Sequence, residues 1–119
     1  MAERVGVGGL VVRVAGTGWF IPVAGVIEML RDAAVARLPG TPPAVRGIVN
    51  HRGRVLTVAD PIRALGLPGD VGGADDVVIV EAGGHRFAVA VDGVVELAAE
   101  ARTGLATLDL DSIASAIFA

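Results

Sequence analysis

The chain has 119 residues, about the length of a single domain, which at this size buries roughly two-thirds of the surface its unfolded chain would expose. It is 53% hydrophobic, so ample apolar surface exists to offset the entropy of ordering the backbone, and extensive disorder is excluded. All ten basic side chains are arginine, spread from Arg4 to Arg102 without a cluster, and the net charge is -3; a nucleic-acid partner, which needs a basic patch facing phosphates, is not expected.

The absence of cysteine removes disulfides, thiolate zinc sites and a thiol nucleophile together, and fits a reducing, cytoplasmic setting. Met1-Ala2-Glu3-Arg4 leads into Val and Gly residues without the apolar run of a secretory signal, and residues 1–8 read as a flexible tail. Gly, Pro or charge interrupts every apolar run before the ~20 residues that span a bilayer, so no direct membrane insertion is expected. Aromatic residues are few, Trp19, Phe20, Phe87 and Phe118, and the core must come from small branched side chains, which favour strands.

Leu10–Val14 and Trp19–Val23 read as a hairpin across Gly16-Thr17-Gly18. From Val23 to Ala33, Val26, Met29, Leu30 and Ala33 recur at three- and four-residue spacing, which predicts a short helix with one apolar stripe. The prolines of Leu38-Pro39-Gly40-Thr41-Pro42-Pro43 make a rigid connector. Val45–Asn50 and Arg54–Val58 form a second hairpin whose tip, His51-Arg52-Gly53, is expected to face solvent or a partner. Asp60 is an N-cap and Pro61 a first helical residue; Gly66 and Pro68 stop that helix. After the Gly- and Asp-rich loop 67–76 come three strands in sequence, Val77–Val80, His85–Val91 and Val94–Leu97, punctuated by Gly83-Gly84 and Asp92-Gly93. Asp109 or Asp111 caps a terminal helix with Ile113, Ile117 and Phe118 on its apolar face. Some seven short strands without βαβ alternation predict a barrel or paired barrels, with Val77–Val80 covered on both sides because polar alternation is missing.

Little catalytic chemistry is visible. His51 and His85 lie far apart, with no second ligand at metal spacing; Ser112 and Ser115 sit on the terminal helix, not on a strand-to-helix elbow. Gly6, Gly8 and Gly9 precede the first strand, where a phosphate loop would follow one, and Asp75-Asp76 lack the ordered oxygen ligands of a calcium loop and read as solvated. Arg52 offers a planar donor fork at a glycine-bounded tip; it serves a partner's carboxylate or braces two loops internally, and the residues leave both readings open. Glu28 and Glu96 read as surface charges.

The run from Leu38 to Asp60, with its Pro-rich connector, Gly47-Ile48-Val49-Asn50-His51-Arg52-Gly53 and the Asp60 cap, resembles the central signature of CheW-like domains, and Leu65-Gly66-Leu67-Pro68 completes it. Phe87–Leu97, containing Val91-Asp92-Gly93-Val94 and then Glu96, is similar to the family's second signature, and Val26–Leu30 resembles its first helix. His51 departs from the usual apolar residue and Pro61 from the usual Leu.

The resemblance implies an all-β fold with two or three short helices, built as two small barrels on a shared hydrophobic core, with no catalysis and no cofactor. It implies a scaffold of a bacterial chemosensory array that binds the cytoplasmic tip of a methyl-accepting chemoreceptor in a groove between the barrels. Val26, Glu28, Gly47, Arg52 and Val94 would lie at or near that surface. After Leu97 the family's long connection and further strands shrink to Thr103–Asp111, as in short members of Frz-type systems, so the second barrel is expected to be incomplete. Binding to the regulatory domain of a CheA-type histidine kinase would then be weak or lost, and the open edge could pair with another chain. A self-assembling β-domain and a small-ligand barrel are the competing readings.

Overall fold

A computed structural model of the chain describes residues 8–73, 75–98 and 104–118. Residues 1–7 of the proposed 1–8 tail and residues 99–103 lie outside them, as does the side chain of Glu96. In chain order the elements are β1 (Gly9–Val14), β2 (Thr17–Pro22), a 3-10 turn (Val23–Gly25), β3 (Val26–Leu30), β4 (Val45–His51), β5 (Arg54–Ala59), α1 (Pro61–Leu65), β6 (Asp76–Ala82), β7 (His85–Val91), β8 (Gly93–Ala98), β9 (Ala106–Thr107) and α2 (Leu110–Phe118).

The strands form two sheets, one of order β8-β1-β2-β9 and one of order β3-β6-β7-β5-β4. Their inner faces share one core, to which Leu10, Val12, Val14 and Ile21 contribute from the first sheet, Val77–Val80 and Phe87–Val91 from the second, and Ile113 and Ala114 from α2. Val77 to Val80 are each fully buried, as their unbroken apolar run requires. A smaller apolar cluster, Val11 and Phe20 with Leu105 against them, covers the other face of the first sheet.

The expected helix at Val23–Ala33 is not formed. One 3-10 turn is followed by β3, which pairs antiparallel with β6. The misleading spacing comes from a bulge: Val26 lies opposite Val80, Glu28 opposite Ile79 and Met29 opposite Val78, leaving Ile27 as the extra residue. Because alternate residues of β6 share a face, Val26 and Met29 fall on the same side although three apart, as they would on a helix. The ladder with fully buried β6 outweighs the weak helical pattern of a β-branched segment. The likeness of Val26–Leu30 to a family helix is therefore a likeness to a strand.

Other differences are smaller. The first hairpin turns on Ala15-Gly16, so Thr17 and Gly18 belong to β2 and pair with Val14 and Arg13. Strand β8 leaves its neighbour β7 immediately after Asp92 and joins β1 in the other sheet. Asp92 secures this crossover: its Oδ2 accepts from Ala15 N at 2.6 Å, its Oδ1 accepts from Gly72 N, and its own N–H donates to Arg13 O at 2.7 Å. Asp75 and Asp76 are not simply solvated, since Asp75 Oδ1 pairs with Arg37 at 3.1 Å and Arg46 at 3.5 Å, and Asp76 Oδ1 accepts from Asp32 N at 2.9 Å. The compressed region after β8 keeps a two-residue strand, β9, parallel to β2 at Trp19 and Phe20.

Both helices start as expected. Asp60 Oδ1 accepts from Ile62 N and Arg63 N at 3.0 and 3.1 Å with Pro61 in the first turn. Asp109 Oδ1 and Oδ2 accept from the Ser112 N and Oγ at 3.0 and 2.7 Å. α2 lays Phe118 edge-on to Phe87, ring centres 5.7 Å apart, and stacks it on His85 at 4.1 Å.

Candidate functional site

The five-stranded sheet has two free margins in its ladder, β3 and β4, and it curls until they meet. Two contacts make the seam. Ala36, beyond β3, exchanges both backbone hydrogen bonds with Ile48 of β4, 2.8 and 2.9 Å. At the end of the seam His51 Nε2 donates to Glu28 Oε1 at 2.8 Å, and Arg52 Nη2 reaches the same oxygen at 3.1 Å. The backbone ladder stops short of a closed barrel, and side chains complete the junction.

The β4–β5 tip is a two-residue turn in which Arg52 and Gly53 both have positive φ, 54° and 85°. Glycine accepts this freely; Arg52 is held there by the hairpin twist and by Asn50 Oδ1, which accepts from Gly53 N at 3.0 Å. The turn aims Arg52 outward with 76% of its side chain exposed. His51, expected in solvent beside it, is instead buried, with 5% exposure. Strand periodicity explains the difference and carried the signal: His51 is two residues from buried Val49 and shares its inward face.

Glu28 is thus more than a surface charge. The hydrogen bond from His51, with the Arg52 charge in support, holds its carboxyl below the ordinary glutamate value, although partial desolvation opposes this. A depressed folded-state value means that the ionised seam contributes stability fully above the ordinary carboxylate range and loses it as the pH falls through the folded value. In an NMR titration, the side-chain carboxyl carbon of Glu28 will titrate with its midpoint below the ordinary glutamate value. A midpoint at or above the ordinary glutamate value would contradict the seam geometry.

Of the residues assigned by resemblance, Glu28 and Arg52 are brought together. Val26 lies on the same strand, but its cross-strand neighbour Val80 puts it on the opposite face from Glu28. Gly47 is covered: a Cβ there would collide with the Ala36 carbonyl oxygen and lie 3.0 Å from Val35 Cγ1. Val94 belongs to the other sheet, opposite Val12. An open groove of about 560 Å³, sharing no residue with the tip, is lined by Pro22, Ala24, Gly25, Glu81, Ala82 and Thr107 to Asp111.

Among the described residues no three His, Asp or Glu side chains gather as a metal site, and no helix is long and apolar enough to cross a membrane. A charged, exposed tip on a curled β-layer, with buried His51 bound to Glu28 beneath it, is the geometry of an interaction surface. Residues 8–101 match the CheW-like domain, and the chain belongs to that family.

One relative, Protein FrzA of Myxococcus xanthus, is 42% identical over 45 residues, 38% of this chain and 28% of FrzA. The crystal structure of the scaffolding protein TtCheW from Thermoanaerobacter tengcongensis matches with a TM-score of 0.66 and 27% identity, over 76% of this chain and 63% of that one. The chain therefore spans less than two-thirds of the length of either relative. The family consists of non-catalytic scaffold adaptors in chemosensory signalling.

Proposed function

We propose that the domain binds the cytoplasmic tip of a methyl-accepting chemoreceptor on the surface around the β4–β5 tip and the β3 margin, in the cytoplasm at receptor arrays. The observation that carries this reading is Arg52: one guanidinium nitrogen touches Glu28, while 76% of the side chain remains open to a partner carboxylate or carbonyl. Glu28 braces Arg52, Val26 lies on the adjoining strand, and Gly47 acts through the seam that it allows to close. Val94, on the other sheet, is partly buried against the shared core. A CheA-type histidine kinase regulatory domain is bound weakly or not at all, in keeping with the short path from β8 through β9 to α2.

Arg52→Asn is the appropriate test, because asparagine tolerates positive φ and keeps the turn while losing the guanidinium. Loss of a charge-assisted contact of about 1.5–3 kcal/mol corresponds to roughly ten- to more than a hundredfold weaker binding. Calorimetry with a purified receptor tip should show that loss with unchanged thermal unfolding of the domain alone. Unchanged receptor affinity would remove Arg52 from the interface, and equal affinity of the parent domain for receptor and kinase domain would overturn the weakened-kinase assignment.

A further inference from the structure

We propose that the groove between the 3-10 turn and the N-terminal end of α2 is a second docking surface, separate from the Arg52 tip, for a partner segment that presents one or two apolar side chains flanked by lysine or arginine. Its exposed apolar lining comes from Pro22, Ala24 and Ala82, over a floor formed by Leu108 and Leu110, which are themselves buried in the core. Val23, next to this lining, is 46% exposed, although most large apolar side chains of the domain are buried.

The charge around the groove has one sign. Glu81, Asp109 and Asp111 line it, and no arginine does. Two of the three are already partly committed: Glu81 Oε2 pairs with Arg86 at 3.0 Å, and Asp109 caps α2 through Ser112. Asp111 and the exposed part of Glu81, 57% of its side chain, are the carboxylates available to an incoming cation. An apolar trough with an anionic rim favours a cation-flanked apolar segment twice over: burial of the walls gains about 25 cal/mol per Å², and the like-signed rim rejects acidic segments and speeds encounter with basic ones. The volume, about 560 Å³, accommodates a few side chains, not a whole helix face, so a short extended segment or one helical turn is the fitting occupant. None of the residues lining this groove belongs to the Glu28–His51–Arg52 cluster.

The probes are two synthetic peptides, one alternating leucine and lysine and its twin with glutamate for lysine, titrated into the full-length chain and followed by amide NMR shifts. The lysine peptide is expected to shift Ala24, Gly25, Ala82 and Leu108 to Asp111, with affinity that falls as salt rises, while the glutamate twin shifts none of them. The double variant Glu81→Gln with Asp111→Asn, which spares the capping Asp109, should weaken binding at least tenfold. Ala24→Arg, which places a cation in the trough and leaves every carboxylate in place, should do the same. Equal shifts with both peptides, shifts spread over the other acidic surfaces, no shifts with either, or variants that bind like the parent would overturn the proposal. The Arg52→Asn variant should bind the lysine peptide normally, which separates this surface from the receptor site.

Discussion

Phe87→Ala will lower the unfolding free energy by about 3–5 kcal/mol, a large share of the 5–15 kcal/mol typical of a whole domain. Phe87 is fully buried on β7, opposite Val80, and its ring receives the edge of Phe118 from α2. It therefore anchors the second sheet and the terminal helix together, in a core otherwise built of valine, alanine, leucine and isoleucine that cannot fill the void. Guanidinium unfolding followed by far-UV circular dichroism will show a lower midpoint with an unchanged slope. Phe87→Leu, which leaves less space, should recover most of the loss. A loss below about 1 kcal/mol for the alanine variant would mean that α2 collapses into the site and that its packing on the sheet is not specific.

Gly47→Ala will cost about 2 kcal/mol or more, although it adds only one methyl group. The methyl would meet the Ala36 carbonyl oxygen, which accepts from Ile48 N, so the seam between β3 and β4 must open or shift. Hydrogen exchange should show lost protection at Ala36 and Ile48, and receptor binding should weaken because Glu28 and Arg52 no longer meet. The pattern separates Gly47 from Arg52: the first variant loses stability and binding together, the second loses binding alone. A Gly47→Ala protein with parental stability and no receptor affinity would instead place Gly47 directly on the contact surface.

The seam also shows where sequence reasoning reaches its limit. A hairpin at this place was legible, because His51-Arg52-Gly53 lies between two apolar runs, but that His51 pairs with Arg54 and leaves a two-residue turn capped by Asn50 was not. That Glu28 lies beneath this tip was not legible from spacing: the two are brought together across 23 residues by a sheet whose margins meet only after five strands have curled. The resemblance had grouped Glu28 and Arg52 without giving the contact. It had also grouped Val94, which the topology sends to the other sheet, and Gly47, which the seam encloses.

Elements governed by neighbours a few residues away were written into the chain. The Gly83-Gly84 turn, the Asp60-Pro61 helix start and the buried run Val77–Val80 follow from dihedral limits, orphan helix donors and the lack of polar alternation, all of which act over one or two turns of backbone. Tertiary structure decided whatever depended on a distant ladder. It made Val26–Leu30 a bulged strand, because pairing with β6 satisfies backbone groups that a short helix would leave open. It also gave inward-facing His51 its partner, because the curled sheet offers Glu28 as an acceptor only once the two margins have met.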